Sequence, residues 1–200
     1  MIRQHIKRTY FLLRTLKKNN ENEENDMEPV KHILNEYPDN KTSAVKKLSL
    51  IAFSGDFDKL TATFTLATGA AAVGYEVNIF FTFWGLDAIK QKQGRAFIGK
   101  GLLPRLFGFL MGGIRVAPVS RFNFFGISPK IFRYLMRKNK VATLEELIEA
   151  AKNLGINLYI CEMAMHILGL QKNDFIHEVK DVLGVATFLK ISEGGRTIFI

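Results

Sequence analysis

Residues 48–60 read Leu48-Ser49-Leu50-Ile51-Ala52-Phe53-Ser54-Gly55-Asp56-Phe57-Asp58-Lys59-Leu60, and their reading decides the fold. Leu48 to Phe53 is a short apolar strand, Ser54-Gly55-Asp56 is turn chemistry, and Asp56 is placed to cap a helix from about Asp58 to Val73. Gly74 ends that helix. Glu76 to Phe83, rich in β-branched and aromatic residues, is a second buried strand, followed by a turn and short helix through Trp84-Gly85-Leu86-Asp87. A strand, a helix and a second strand in that order imply a right-handed crossover and parallel pairing.

The same alternation resumes further along. Pro129 to Arg137 reads as a basic helix, and Thr143 with Glu146 three residues on has capping-box spacing, opening a helix to Leu154 that Gly155 stops. Gly155 to Ile160 leads a strand into Cys161, and a helix runs from there to about Gly169. A further helix is expected from Asn173 to about Val182, a helical stretch over Val185 to Glu193, and a last strand at Thr197 to Ile200. The expected fold class is therefore α/β, a mostly parallel sheet with helices on both faces, in one domain spanning 46–200. In such folds the site lies at the carboxyl ends of the strands, where the Ser54 turn, the Trp84 turn and Cys161 all fall.

Two segments stand apart from this pattern. Residues 1–45 are an N-terminal extension: Ile2, Ile6, Leu13 and Leu16 recur at near-helical spacing among Arg3, Lys7, Arg8, Arg14 and Lys17, and an acidic polar linker follows from Asn19 to Asp26. Residues 94–128 form a long basic apolar excursion punctuated by Gly99, Gly101, Gly108, Gly112, Gly113 and Gly126 and by Pro104 and Pro118, a mobile or interface segment. From Ala88 to Lys140 there is no Asp or Glu at all. A basic block interleaved with phenylalanine reads either as core or oligomer-interface aromatics beneath a solvated charged face, or as a surface for an anionic membrane or an acidic protein. No recognised nucleic-acid module accompanies it, so nucleic acid is not expected as a partner. Exposed apolar surface in this segment favours a homo-oligomer.

The chain has 200 residues, 48% of them apolar and 24% charged, with a net charge of +9, the composition of a folded globular protein. A single cysteine fits a reducing compartment, so the expected location is cytoplasmic, with membrane association open. The start of the chain spreads its basic residues too widely for a signal peptide. Glu76, Arg105 and Arg115 interrupt the apolar stretches that would otherwise approach a membrane span.

The candidate catalytic residue is Cys161, at a strand-to-helix junction. Free backbone N–H groups and the helix dipole favour a thiolate there over a free thiol, whose pKa is roughly 8.5. One cysteine excludes an internal dithiol cycle; a relay that accepts and hands on one sulfur atom needs only one. The competing account is a small buried core hydrophobe. Ser54, Gly55, Asp56, Lys59, Trp84, Glu162, Met163, Met165 and His166 are the residues that could line a pocket with it. Glu162 caps the helix, His166 faces solvent or tunes the thiol, and Met163 and Met165 are core or adaptable walls. A metal at Cys161, Glu162 and His166 lacks a fourth ligand, and Ser54-Gly55-Asp56 lacks the glycine spacing of a dinucleotide fingerprint, so neither metal nor cofactor is expected.

Three strings carry a family resemblance: Ser54-Gly55-Asp56-Phe57-Asp58-Lys59; Ala67-Thr68-Gly69-Ala70-Ala71-Ala72 running to Phe80-Phe81-Thr82-Phe83-Trp84-Gly85-Leu86; and Cys161-Glu162-Met163-Ala164-Met165. Together they resemble the DsrE/DsrF-like sulfur-relay superfamily, in its DsrE2-type branch often labelled peroxiredoxin-family. Ala164, His166 and Leu168 depart from the usual residues of the cysteine motif. The resemblance covers 46–200 and implies a flavodoxin-like domain that assembles into oligomers. It further implies that Cys161 carries sulfur as a persulfide between rhodanese-type donor and TusA-type acceptor proteins, a sulfur carrier of sulfurtransferase type rather than a turnover enzyme, and not a peroxidase. The alternative is a non-catalytic oligomeric scaffold or membrane-apposed subunit that uses the basic aromatic block.

Overall fold

The protein's computed structural model describes residues 46–91, 117–120 and 128–200. The N-terminal extension and most of the 94–128 excursion lie outside the described residues. Five strands form one parallel sheet in the order β4-β3-β2-β1-β5: β1 Lys47–Ala52, β2 Glu76–Phe81, β3 Asn157–Cys161, β4 Val179–Leu183 and β5 Arg196–Phe199. The helices are α1 Phe57–Ala72, α2 Ser128–Lys138, α3 Leu144–Asn153, α4 Glu162–Ile167 and α5 Val185–Ser192, with 3₁₀ segments at Phe83–Ile89 and Lys172–Asp174.

The chain steps from β1 to β2, β3 and β4 in one direction and then crosses back to place β5 beside β1. Right-handed crossovers in opposite directions put their helices on opposite faces. On one face α1 packs against β1, β2 and α3, burying Phe57, Leu60, Phe64, Ala67 and Ala71 at helical spacing. On the other, Phe188 of α5 stacks on Phe80 with ring centroids 4.5 Å apart. The neighbouring Phe81 meets Phe64 of α1 at 6.0 Å, as strand alternation requires. This is the α/β architecture with helices on both faces that the residue pattern predicts, and it fits the flavodoxin-like domain that the family resemblance implies.

Local signals explain the helix boundaries. Thr143 and Glu146 form the reciprocal capping box: Thr143 N–H donates to Glu146 Oε2 at 2.8 Å and Glu146 N–H to Thr143 Oγ1 at 3.4 Å. Gly74 (φ 88) and Gly155 (φ 68) follow α1 and α3 in the left-handed conformation that ends helices.

Two expectations are corrected. Asn173 to Val182 is not a helix: the Asp174 carboxylate accepts the Gln171 N–H at 2.8 Å and closes a single 3₁₀ turn, after which Val179–Leu183 pairs with β3 as an edge strand. Exposed Lys180 and Asp181 suit that edge, where charge discourages further pairing. Asp56 occupies the N-cap position of α1, but its side chain makes no capping bond. Its carboxylate pairs with Lys59 Nζ at 2.9 Å, while the Asp56 N–H donates to Ser54 Oγ at 3.1 Å.

Candidate functional site

Strand register places the site. Ala52, Phe81, Ile160 and Val182 align across β1 to β4, and Cys161 lies one residue beyond that row, paired with Leu183. Cys161 is both the last residue of β3 and the N-cap of α4, with φ −71° and ψ 114°. By alternation it shares a sheet face with Tyr159, whose ring lies 6.4 Å from that of Phe188. It is a free thiol and only 1% exposed. Among the described residues, no side-chain hydrogen bond or ion pair reaches it.

The loops after β1 and β2 are locked together. Thr82 N–H donates to Ala52 O at 3.0 Å and Gly85 N–H to Phe53 O at 2.9 Å. The approach is so close that a Cβ on Gly85 would lie 2.8 Å from the Ala52 carbonyl carbon and nearer still to its oxygen, and one on Gly55 would lie 2.6 Å from Trp84 O. Between these contacts Phe83 holds φ 44°, a left-handed conformation unusual for a bulky side chain and costing about 1–3 kcal/mol. Its ring is held against Phe53 at 5.4 Å, and Phe53 stacks in turn on Phe199 at 5.7 Å. The 3₁₀ segment that opens at Phe83 packs against α4, so the loop after β2 touches both the loop after β1 and α4.

The candidate lining residues divide accordingly. Ser54 is buried and committed to its turn, Gly55 touches Trp84, and Asp56 and Lys59 satisfy each other. Trp84 is exposed, as are Glu162, Met163 and His166, while Met165 packs partly into the core. Met163, at 53% exposure, is not a core residue: on a helix of six residues only Ala164 is buried. Glu162 is the first residue of α4 and cannot be its cap, because Cys161 holds that position. Among the described residues, no group of three or more His, Cys, Asp or Glu converges to hold a metal ion, and no helix is long and apolar enough to cross a membrane.

A buried ion pair lies in the same region: Asp87 on the 3₁₀ segment meets Lys90 immediately after it, with both side chains buried. Burial pushes the Asp87 carboxyl above its ordinary range, and the Lys90 ammonium acts against that rise. The adjoining chain is pinned by an antiparallel bridge between Lys90 and Phe175, with Ile176 N–H donating to Ile89 O and Gln91 N–H to Asp174 O, each at 2.9 Å. Acid and base three apart are a visible signal, though one that ordinarily marks a solvated surface pair.

The chain is similar to several known proteins. It is 40% identical over 161 residues to the uncharacterized protein YrkE of Bacillus subtilis, covering 80% of this chain and 99% of that one. It is 31% identical over 153 residues to the sulfur carrier protein DsrE2 of Allochromatium vinosum, covering 74% and 92% respectively. Among solved structures, the ychN protein from E. coli overlays 78% of this chain and 98% of its own, with a TM-score of 0.44 and 9% identity. Residues 44–199 match the family model described as DsrE/DsrF/DrsH-like, and the chain belongs to that family.

Proposed function

We propose that this protein is a sulfur carrier that holds sulfane sulfur as a persulfide on Cys161 and passes it to a partner thiol. The observation that carries the reading is the place of the chain's one thiol, at the carboxyl end of an interior strand and the start of α4. The 31% identity to a protein named as a sulfur carrier supports it. The working unit is the domain 46–200, with 1–45 as an appendage.

The chemistry needs no electron acceptor. The Cys161 thiolate attacks the outer sulfur of a donor persulfide; a new S–S bond forms at Cys161 as the donor S–S bond breaks and the donor cysteine leaves as thiolate. In the second transfer an acceptor thiolate attacks the outer sulfur on Cys161, and Cys161 is the leaving group. Rhodanese-type donors and TusA-type acceptors fit these two roles, in a homo-oligomer within the reducing cytoplasm.

Attack requires in-line access to Sγ, which the 1% exposure of Cys161 denies. The transfer-competent form is therefore one in which the first turn of α4 has moved. A six-residue helix with a single buried side chain is the kind of element that opens locally at small cost. Opening only on a partner would also shield the persulfide from stray thiols between transfers.

The test is intact-mass spectrometry of reduced wild type and Cys161→Ser after incubation with thiosulfate and a rhodanese. Wild type is expected to gain one sulfur that dithiothreitol removes, and the variant to gain none. Equal loading of the variant, or no loading of wild type under conditions that load a control carrier, would overturn the proposal.

A further inference from the structure

Helix α2, Ser128–Lys138, is mounted with its apolar side outward. At 100° per residue, Pro129, Arg133 and Met136 share the arc that meets the protein: Pro129 is buried and Arg133 and Met136 are half-buried. Arg133 secures the contact, donating from Nε to Glu145 Oε1 at 3.2 Å and lying 4.9 Å over the ring of Phe57. Ile131, Tyr134, Leu135 and Lys138 occupy the opposite arc, where the three uncharged residues are 51%, 63% and 43% exposed. Phe132, at 41%, lies along one margin of this surface, and Lys130 and Arg137, both exposed, lie along the other. Neither α2 nor any position back to Ala88 carries an acidic residue.

An ordinary surface helix turns its apolar stripe to the core and its charges to water. Here the inward arc is a proline, an arginine and a methionine, while most of the apolar side chains and a tyrosine face outward within a basic margin. Two occupants could cover such a surface, and charge separates them. A second copy docking face to face would set Lys130, Arg137 and Lys138 against their own counterparts, a like-charge juxtaposition that disfavours the pairing. An anionic lipid surface satisfies both properties at once. Isoleucine, leucine and phenylalanine enter the acyl boundary, tyrosine lies at headgroup level, and the lysines and arginine meet lipid phosphates.

We infer that α2 is a peripheral docking helix for anionic lipid surfaces, lying in the membrane plane and holding the sheet beside the bilayer without spanning it. The inference is independent of any role for Cys161.

The test is co-sedimentation of the full-length chain with vesicles of about three parts phosphatidylcholine to one of phosphatidylglycerol, against pure phosphatidylcholine. The expected result is binding to the anionic vesicles at low ionic strength, release by about 0.5 M salt, and no binding to the zwitterionic ones. Replacing Ile131 and Leu135 together by serine is expected to lower partitioning about tenfold, as is replacing Lys130 and Arg137 together by glutamate. These positions are exposed, so both variants should keep the wild-type far-UV spectrum and melting temperature, and both should run as wild type on gel filtration. The inference is overturned if wild type does not bind anionic vesicles. It is equally overturned if both double variants bind as wild type does, or if the serine variant turns a dimer into a monomer, which would assign the face to a second copy.

Discussion

Replacing Gly85 by alanine should be among the most damaging single-methyl additions in the described part of the chain. The new Cβ would sit 2.8 Å from the Ala52 carbonyl carbon and closer to its oxygen, so the obstacle is backbone at the end of β1 rather than a side chain that can rotate away. Forcing a methyl into such a place costs about 1–3 kcal/mol. Relief by moving the turn would stretch the bonds from Thr82 N–H to Ala52 O and from Gly85 N–H to Phe53 O, each worth about 1 kcal/mol net. Together these give about 3–5 kcal/mol, a large share of the roughly 5–15 kcal/mol that holds a domain folded. Urea unfolding followed by circular dichroism should show a lower midpoint with an unchanged slope. Gly69→Ala is the control. It adds the same methyl within α1, where nothing lies within 4 Å, and should stabilise by up to about 1 kcal/mol through helix propensity. If Gly85→Ala lies within 1 kcal/mol of wild type, or Gly69→Ala falls as far as Gly85→Ala does, the contact argument is wrong.

The buried pair at Asp87 and Lys90 should respond to removal of one member more than of both: Asp87→Asn is expected to cost about 3–5 kcal/mol, whereas Asp87→Leu combined with Lys90→Met should recover most of that loss in the same urea assay. Asp58 should confer stability that depends on pH. Partial burial raises its carboxyl pKa, but bonds from the Ser120 hydroxyl and backbone N–H outweigh this and leave it below its ordinary value. A depressed folded pKa means that the contribution is present above the unfolded value and is lost as pH falls through the folded one. Asp58→Asn should therefore be less stable than wild type at neutral pH, by about 0.5–1 kcal/mol for so solvated a group. That difference should close in acid, as pH falls through the depressed folded-state pKa of Asp58, as melting curves across pH would show.

Much of this architecture was legible because its strands are apolar runs closed by glycine and turn chemistry. β1, β2, β3, the capping box at Thr143 and the junction at Cys161 all stand within a residue or two of where the pattern puts them. β4 was not legible. Val179-Lys180-Asp181-Val182-Leu183 has charges at its centre, and only pairing with β3 makes a strand of it. Asp56 was half legible: its position as N-cap is observed, but the partner its carboxylate takes is Lys59. The Asp87–Lys90 pair was hidden for a different reason. Spacing shows which groups can meet, whereas burial depends on the 3₁₀ turn being packed under the rest of the chain. The outward mounting of α2 likewise needed the position of Arg133 against Phe57 and Glu145.

The return of β5 to the side of β1 has a consequence for how the chain is made. Leu48 is among the first residues of the sheet to leave the ribosome and Arg196 among the last, yet they are register partners. The N–H groups of Phe53 and Ser54 likewise point to the carbonyl of Ile200. Until the final strand emerges, β1 presents a bare parallel edge lined by Leu50 and Ile51, the kind of edge that recruits other chains. Closing it is a long-range event of high contact order, slower than the local steps that assemble β1 through β4. Nascent chains should therefore be most prone to aggregation between the emergence of β4 and that of β5, and a chaperone that shields β1 would gain most by staying bound until β5 is complete.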